Sequence, residues 1–121
     1  MANVSKGAAG EVLAARYLRD QGYRILGANY RTRFGEIDII ATDGTYIVFV
    51  EVKARAQNSY YAPREAVTVA KQRRIVKTAL LFLSKHPTKL QPRFDVIEVV
   101  TAVGQPMQLI ELNHLKNAHG G

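Results

Sequence analysis

Four residues in one short stretch of this chain could do chemistry together: Glu36, Asp38, Glu51 and Lys53. They flank Asp43-Gly44, a dipeptide that marks a two-residue hairpin turn, here between runs rich in Ile, Val, Phe and Tyr. With Asp43 and Gly44 as the central turn residues and no bulge, Thr42 faces Thr45, Ile40 faces Ile47, Asp38 faces Phe49 and Glu36 faces Glu51. Alternation then puts Glu36, Asp38, Glu51 and Lys53 on one face of the sheet and Val48, Val50 and Val52 on the other. Asp38 and Glu51 become diagonal neighbours, about 7 Å apart at Cβ, so their carboxylates can converge on one ion.

Three carboxylates in so small an area repel one another, and against apolar neighbours they must take up protons or recruit positive charge. A hard divalent cation, Mg²⁺ (or Mn²⁺), resolves that conflict. It prefers oxygen ligands, takes one or two carboxylates from the protein and completes its shell with water and substrate phosphate. Lys53, two residues beyond Glu51 on the same face, then reaches the place of such a phosphate, where it can hold water or offset developing charge. Glu11 supplies a further ligand, or orients a bound water, if its helix packs on this face. A plainer reading stays open beside this one: the acids are a solvated hairpin face with Lys53 as their salt-bridge partner. The apolar character of Ile37, Ile39, Ile40 and Val48 to Val52 speaks instead for strands buried on both sides.

The elements that must position these residues are legible from periodicity. Lys6 to Gln21 reads as a helix with Asn3 or Ser5 as N-cap and Gly22 at its end, and Glu11, Ala14, Ala15 and Leu18 share a face. Gly7 and Gly10 should let that face approach another element closely. Strands are expected over Tyr23 to Arg31, Glu36 to Thr42 and Tyr46 to Ala54. After a loop in which Pro63 opens a short helical turn, Thr68 caps a helix from Val69 to Ser84. Strands over Arg93 to Thr101 and Met107 to Leu112, with a turn at Gly104, complete an α/β chain: a mixed central sheet of about five strands flanked by helices. A single domain over 1–121 is expected, its ends fraying at about 1–4 and 117–121.

Composition narrows the function. The chain has 121 residues, and 17 Lys and Arg against 10 Asp and Glu give a net charge of +7, which would concentrate a polyanion at its surface. Without a cysteine, disulfides, thiolate zinc sites and cysteine nucleophiles are excluded. No apolar run approaches the ~18 residues of a membrane span and the first residues do not form a signal peptide, so a cytoplasmic protein without membrane partners is expected.

At Gly35 to Asp38 (Gly-Glu-Ile-Asp) and Val50 to Lys53 (Val-Glu-Val-Lys) the chain resembles the YraN family of bacterial proteins. The resemblance runs from about Gly7 to about Glu98 and includes Gly10-Glu11, Asn29-Tyr30-Arg31 and Lys71-Gln72. That family is in turn similar to archaeal Holliday junction resolvases and, more distantly, to restriction endonucleases that share an acid followed by Glu-x-Lys. The resemblance implies a restriction-endonuclease-like core in which Asp38 and Glu51 are metal ligands and Lys53 is the catalytic lysine. It further implies that Glu11 is a helix-borne acid, Gln72 is an auxiliary active-site residue, and the working unit is a homodimer. Asp38 follows Ile37, where restriction enzymes often have proline.

Arg31 and Arg33, beside the acidic strand, and Lys71 and Arg74, among the four cations of the second helix, are candidate phosphate contacts; solvated loops and a solvated helix face are the plainer account. Tyr60 and Tyr61 are placed to stack on an unpaired base, or simply to pack their loop. His86, His114 and His119 lack zinc-ligand spacing and read as structural or exposed. The expected function is therefore a metal-dependent nuclease acting on DNA, structured or branched DNA in particular. The competing expectation is a non-catalytic nucleic-acid-binding protein with the same fold; an adaptor for another protein is a weaker third.

Overall fold

In the computed structural model, which describes residues 6–59 and 68–118, the chain order is α1 (Lys6–Asp20), β1 (Arg24–Thr32), β2 (Gly35–Thr42), β3 (Tyr46–Ala56), α2 (Val69–Lys85), β4 (Gln91–Ala102) and β5 (Gln105–Leu115). Each expected helix and strand forms: β2, β3 and α2 run one or two residues longer than expected, β4 three and β5 five, while α1 ends a residue earlier and β1 is shifted by one. The expected N-caps Asn3 and Ser5, the turn at Pro63, Tyr60, Tyr61, His119 and most of the two fraying ends lie outside the described residues. Asn117 and Ala118 are held: their amides donate to Asp95 Oδ1 and to the Phe94 carbonyl, at 2.9 and 2.8 Å.

The caps follow from residue chemistry. Gly22, at φ +91°, closes α1: its amide bonds Arg19 O at 3.0 Å and the Tyr23 amide bonds Leu18 O at 2.9 Å. These two bonds satisfy carbonyls that the helix end would leave unpaired. At the start of α2 the Thr68 hydroxyl accepts from the Lys71 amide at 3.0 Å.

The sheet order is β1-β2-β3-β4-β5, antiparallel throughout except for the parallel β3–β4 pair that α2 connects. The five-stranded mixed sheet is thus flanked by a helix on each face. Leu13, Ala14 and Leu18 of α1 pack with Ile39, Ala41, Val48, Val50, Ile97 and Val99 on one side. Ile75, Ala79 and Phe82 of α2 pack with Ile37, Ile40, Ile47 and Phe49 on the other. The central strands are buried on both faces, which is why β2 and β3 read as nearly continuous apolar runs. Burial of Phe49 alone contributes roughly 1.5–3 kcal/mol.

Two expectations are corrected. Thr42 pairs with Ile47, Ala41 with Val48, Ile40 with Phe49 and Ile39 with Val50, a register displaced by two residues from that of a two-residue turn. The cause is the Asp43 side chain, whose Oδ1 accepts from the Thr45 and Tyr46 amides at 2.9 and 2.8 Å and so builds a four-residue loop. Glu36 therefore does not face Glu51, and the extended register would set Glu51, not Phe49, opposite Asp38. Of the two glycines expected to allow close helix packing, only Gly10 does so. A Cβ there would stand 2.7 Å from Ala54 Cβ, whereas Gly7 faces open space.

Candidate functional site

Alternation along β2 fails between Ile37 and Ile40, both of which pack toward α2, while Ile39 and Ala41 pack toward α1. Asp38 falls in this break. Pairing with β3 ends at Ile39 and Val50; beyond it Asp38 Oδ2 takes the Val52 amide at 2.7 Å, filling the place of a ladder bond. The carboxylate thus sits where two strands part, reachable from both faces of the sheet.

From the α1 side the close contact of Gly10 on Ala54 brings in Glu11, and from the end of β1 Arg31 steers Glu36 by a 2.9 Å pair. Glu11, Glu36 and Asp38 each offer an oxygen, and these lie within 4.8 Å of one another. From the α2 side Lys71 pairs with Glu51 Oε2 at 2.5 Å, and Lys53 Nζ stands 3.9 Å from Glu51 Oε1. That second distance is too long for a hydrogen bond, so Oε1 is buried without a hydrogen-bond partner among the described residues. Glu36, Asp38, Glu51, Lys71 and Arg74 line one cavity of about 310 Å³ floored by Gly35 and Ile75.

The electrostatics match this crowding. Burial pushes the Asp38 carboxyl up, the Val52 amide counters it, and the charges of Glu11, Glu36 and Glu51 push it further, to about 6. Burial, with the neighbouring Lys71 ammonium, lowers the Lys53 amine, although Glu51 and Asp38 oppose this. For Lys71 burial acts downward, but its contact with Glu51 wins and the amine is raised.

A carboxyl whose folded pKa exceeds its unfolded value binds its proton more tightly in the folded state. Stability is therefore lost as pH rises from about 4 to about 6, and stays lower above that. Asp38→Asn keeps an acceptor for the Val52 amide and removes the charge. Without divalent cations it should be more stable than wild type by about 1–2 kcal/mol near neutral pH, after allowing for partial solvent screening, and equal to it below about pH 4. Urea unfolding of both proteins at the two pH values checks this.

The donors fit a hard cation: the clustered oxygens of Glu11, Glu36 and Asp38 are all carboxylate, and their like charges raise the proton affinity of Asp38. Glu51, expected as a ligand, lies outside that close group but lines the same cavity and carries a buried, unbonded Oε1. Glu36, Asp38 and Glu51 share a cavity and Lys53 stands beside Glu51, while Glu11 reaches Asp38 from the opposite face of the sheet, because α1 packs on the Val48 and Val50 side and not on the face of Glu51 as its expected role required. Lys71, read only as a candidate phosphate contact, is the ion-pair partner of Glu51. Its signal was the stripe Lys71, Ile75, Thr78, Ala79 and Phe82 at helical spacing, whose last four members are buried. Arg74 lies on the rim of the cavity. Gln72, on the same turn, is half-buried and does not line it. Arg31 is engaged by Glu36, and Arg33 lies over the Phe34 ring at 4.9 Å.

Sequence reasoning missed a second polar cluster. Asp95 accepts from Arg93, His114 and the Asn117 amide at 2.7–2.9 Å. Tyr23 and Tyr17 extend it to Arg93 and His114, at 2.8 and 2.9 Å. His114 is structural, as expected, and the exposed His86 stacks on Phe82.

A family model described as "Uncharacterised protein family UPF0102" matches residues 10–99, a span that encloses every residue of the acidic pocket. The chain is also similar to proteins named "UPF0102 protein" from several bacteria. It is 47% identical to that of Chlorobium chlorochromatii over 93% of this chain and 88% of the relative. For Persephonella marina the identity is 46% over 93% and 91%, and for Rhodococcus opacus 44% over 96% and 97%.

Proposed function

The chain belongs to the UPF0102 family, and from the pocket that the family's shared stretch encloses we propose that it is a metal-dependent nuclease hydrolysing phosphodiester bonds in DNA. The observation that carries this reading is the convergence of Glu11, Glu36, Asp38 and Glu51 with two lysines at the point where β2 and β3 part. Asp38 and Glu51, whose Oε1 is buried without a hydrogen-bond partner among the described residues, would hold the cation, with Glu11 and Glu36 alongside. A bound Mg²⁺ or Mn²⁺ supplies Lewis acidity toward a phosphate and lowers the pKa of water. Lys53, beside Glu51, would offset charge that develops on the phosphate. Lys71 and Arg74 meet the flanking phosphates from the α2 side. The resemblance to archaeal resolvases and restriction endonucleases supports the same reading, and with it structured DNA as substrate and a homodimer as the working unit.

The test is calorimetric titration of Mn²⁺ into the wild type and into Asp38→Ala/Glu51→Ala, once circular dichroism shows the variant folded. We expect binding by the wild type that the variant loses, and Mg²⁺- or Mn²⁺-dependent cleavage of branched DNA by the wild type alone. A second reading has its own observation: Lys71 and Lys53 flank Glu51 and Arg31 pairs with Glu36, so the chain itself balances part of the acidic charge. A non-catalytic DNA-binding protein would do this, and would show salt-sensitive binding indifferent to metal.

A further inference from the structure

A cavity of about 510 Å³ runs between α1 and β1 and opens onto the carboxylates at Glu11. That volume falls within the ~300–1,000 Å³ of pockets that hold a small organic ligand. Its floor is apolar, from Val12, Ala15, Ile25, Ala28 and Ile39, and its rim carries Arg16 and Arg19. Both arginines are exposed, and neither makes an ion pair among the described residues. Asn29 lines the cavity from the strand side at φ +52°, a left-handed conformation uncommon for a residue with a side chain. It lies between Ala28 and Tyr30, whose partners are Ile39 and Ile37, and so stands opposite Asp38. The carboxylates thus separate two hollows, the α2-side cavity with Lys71 and Arg74 and this α1-side groove with Arg16 and Arg19.

The geometry points to this groove as the seat of an unpaired nucleotide adjoining the reacting phosphate: Arg16 and Arg19 hold its phosphate, the apolar floor takes the base, and Asn29 reads the base edge. This inference rests on the nuclease reading for its choice of strand. A nucleotide has the right division of character, a base with a flat stacking face and a polar edge, and an anionic phosphate whose two non-bridging oxygens can each accept from an arginine. A duplex is too wide to enter between a helix and the strand beside it, so one strand must leave its partner to occupy the groove. Selectivity for branched, frayed or single-stranded substrates follows from that requirement.

Fluorescence anisotropy tests it in EDTA, with a short labelled DNA single strand and the blunt duplex of the same length. For Arg16→Ala/Arg19→Ala, single-strand affinity should fall roughly 10-fold and the slope of log affinity against log salt should flatten by about 1.4, the release expected for two phosphate contacts on a single strand. Duplex affinity should change less than about twofold. Asn29→Gly, which keeps the backbone conformation without the side chain, should weaken the single strand severalfold with the salt slope unchanged. Lys85→Ala/Lys89→Ala removes the same charge on exposed residues outside either hollow and should leave single-strand binding near wild type. The inference is overturned by equal losses on duplex and single strand, by equal losses in the control variant, by no loss at all, or by a wild type that does not bind the single strand at low salt. Because no cleavage is read, a chain that binds in this way yet cleaves nothing refutes only the nuclease reading.

Discussion

Asp38→Ala is expected to slow phosphodiester cleavage by ~10³-fold or more while leaving nucleic-acid affinity within a few-fold of wild type. The Asp38 carboxylate is costly to charge: it is half-buried, beside three acids, with its carboxyl raised to about 6. In the proposed mechanism a bound cation would offset that cost. Of the basic residues that would hold phosphates, Lys71 is paired with Glu51 rather than Asp38, Arg74 stands on the cavity rim, and Arg16 and Arg19 line the separate α1-side groove. Loss of the carboxylate also leaves the Val52 amide without its acceptor. Asp38→Asn is therefore the better-matched variant, and it should lose as much activity as the alanine. Single-turnover cleavage of labelled branched DNA in Mg²⁺, with binding measured in parallel, decides the matter; an asparagine variant that still cleaves at the wild-type rate removes the charge of Asp38 from the mechanism.

Asp95→Ala should cost about 3–5 kcal/mol of folding stability, the usual penalty for leaving one partner of a buried ion pair uncompensated. Asp95 is 1% exposed, and Arg93 and His114 are nearly as enclosed. Remove the carboxylate and a guanidinium, an imidazole and the Asn117 amide lose their acceptor together. Burial alone would raise the Asp95 carboxyl, but the hydrogen bonds from His114, Arg93 and the Asn117 amide hold it down, to about 2. The folded state thus binds this proton less tightly than the unfolded chain. The stabilisation is present above about pH 4 and is lost as pH falls toward 2, opposite in sign to the effect of Asp38. Urea unfolding should show the alanine variant much weakened near neutral pH, with the gap to wild type closing in acid.

Much of the candidate site was legible because its logic is local. Alternation in β3 places Glu51 and Lys53 on the α2 face whatever the register, and a displacement of two residues at the hairpin preserves facing. The displacement itself arose from the Asp43 carboxylate capping its own loop, which the Asp-Gly pair alone does not disclose. The break in alternation at Asp38 was out of reach. It depends on apolar surfaces above and below β2 competing for Ile37 and Ile39, and hence on two helices far apart in sequence. The same holds for the Asp95 cluster, since Arg93 and Asp95 are visible at a spacing of two but His114 joins them only through the β4–β5 register.

The contact of Gly10 with Ala54 ties heredity at two distant positions into one unit of variation. Alanine at 10 would push α1 off β3 and lift Glu11 from the other carboxylates, unless position 54 gave up its methyl group in the same lineage. Drift at either position is confined to the smallest residues, and a passable route from one small pair to another runs through glycine at both. In laboratory evolution, Gly10→Ala should survive selection for function only alongside Ala54→Gly, and the order in which the two arise should be fixed, with position 54 changing first.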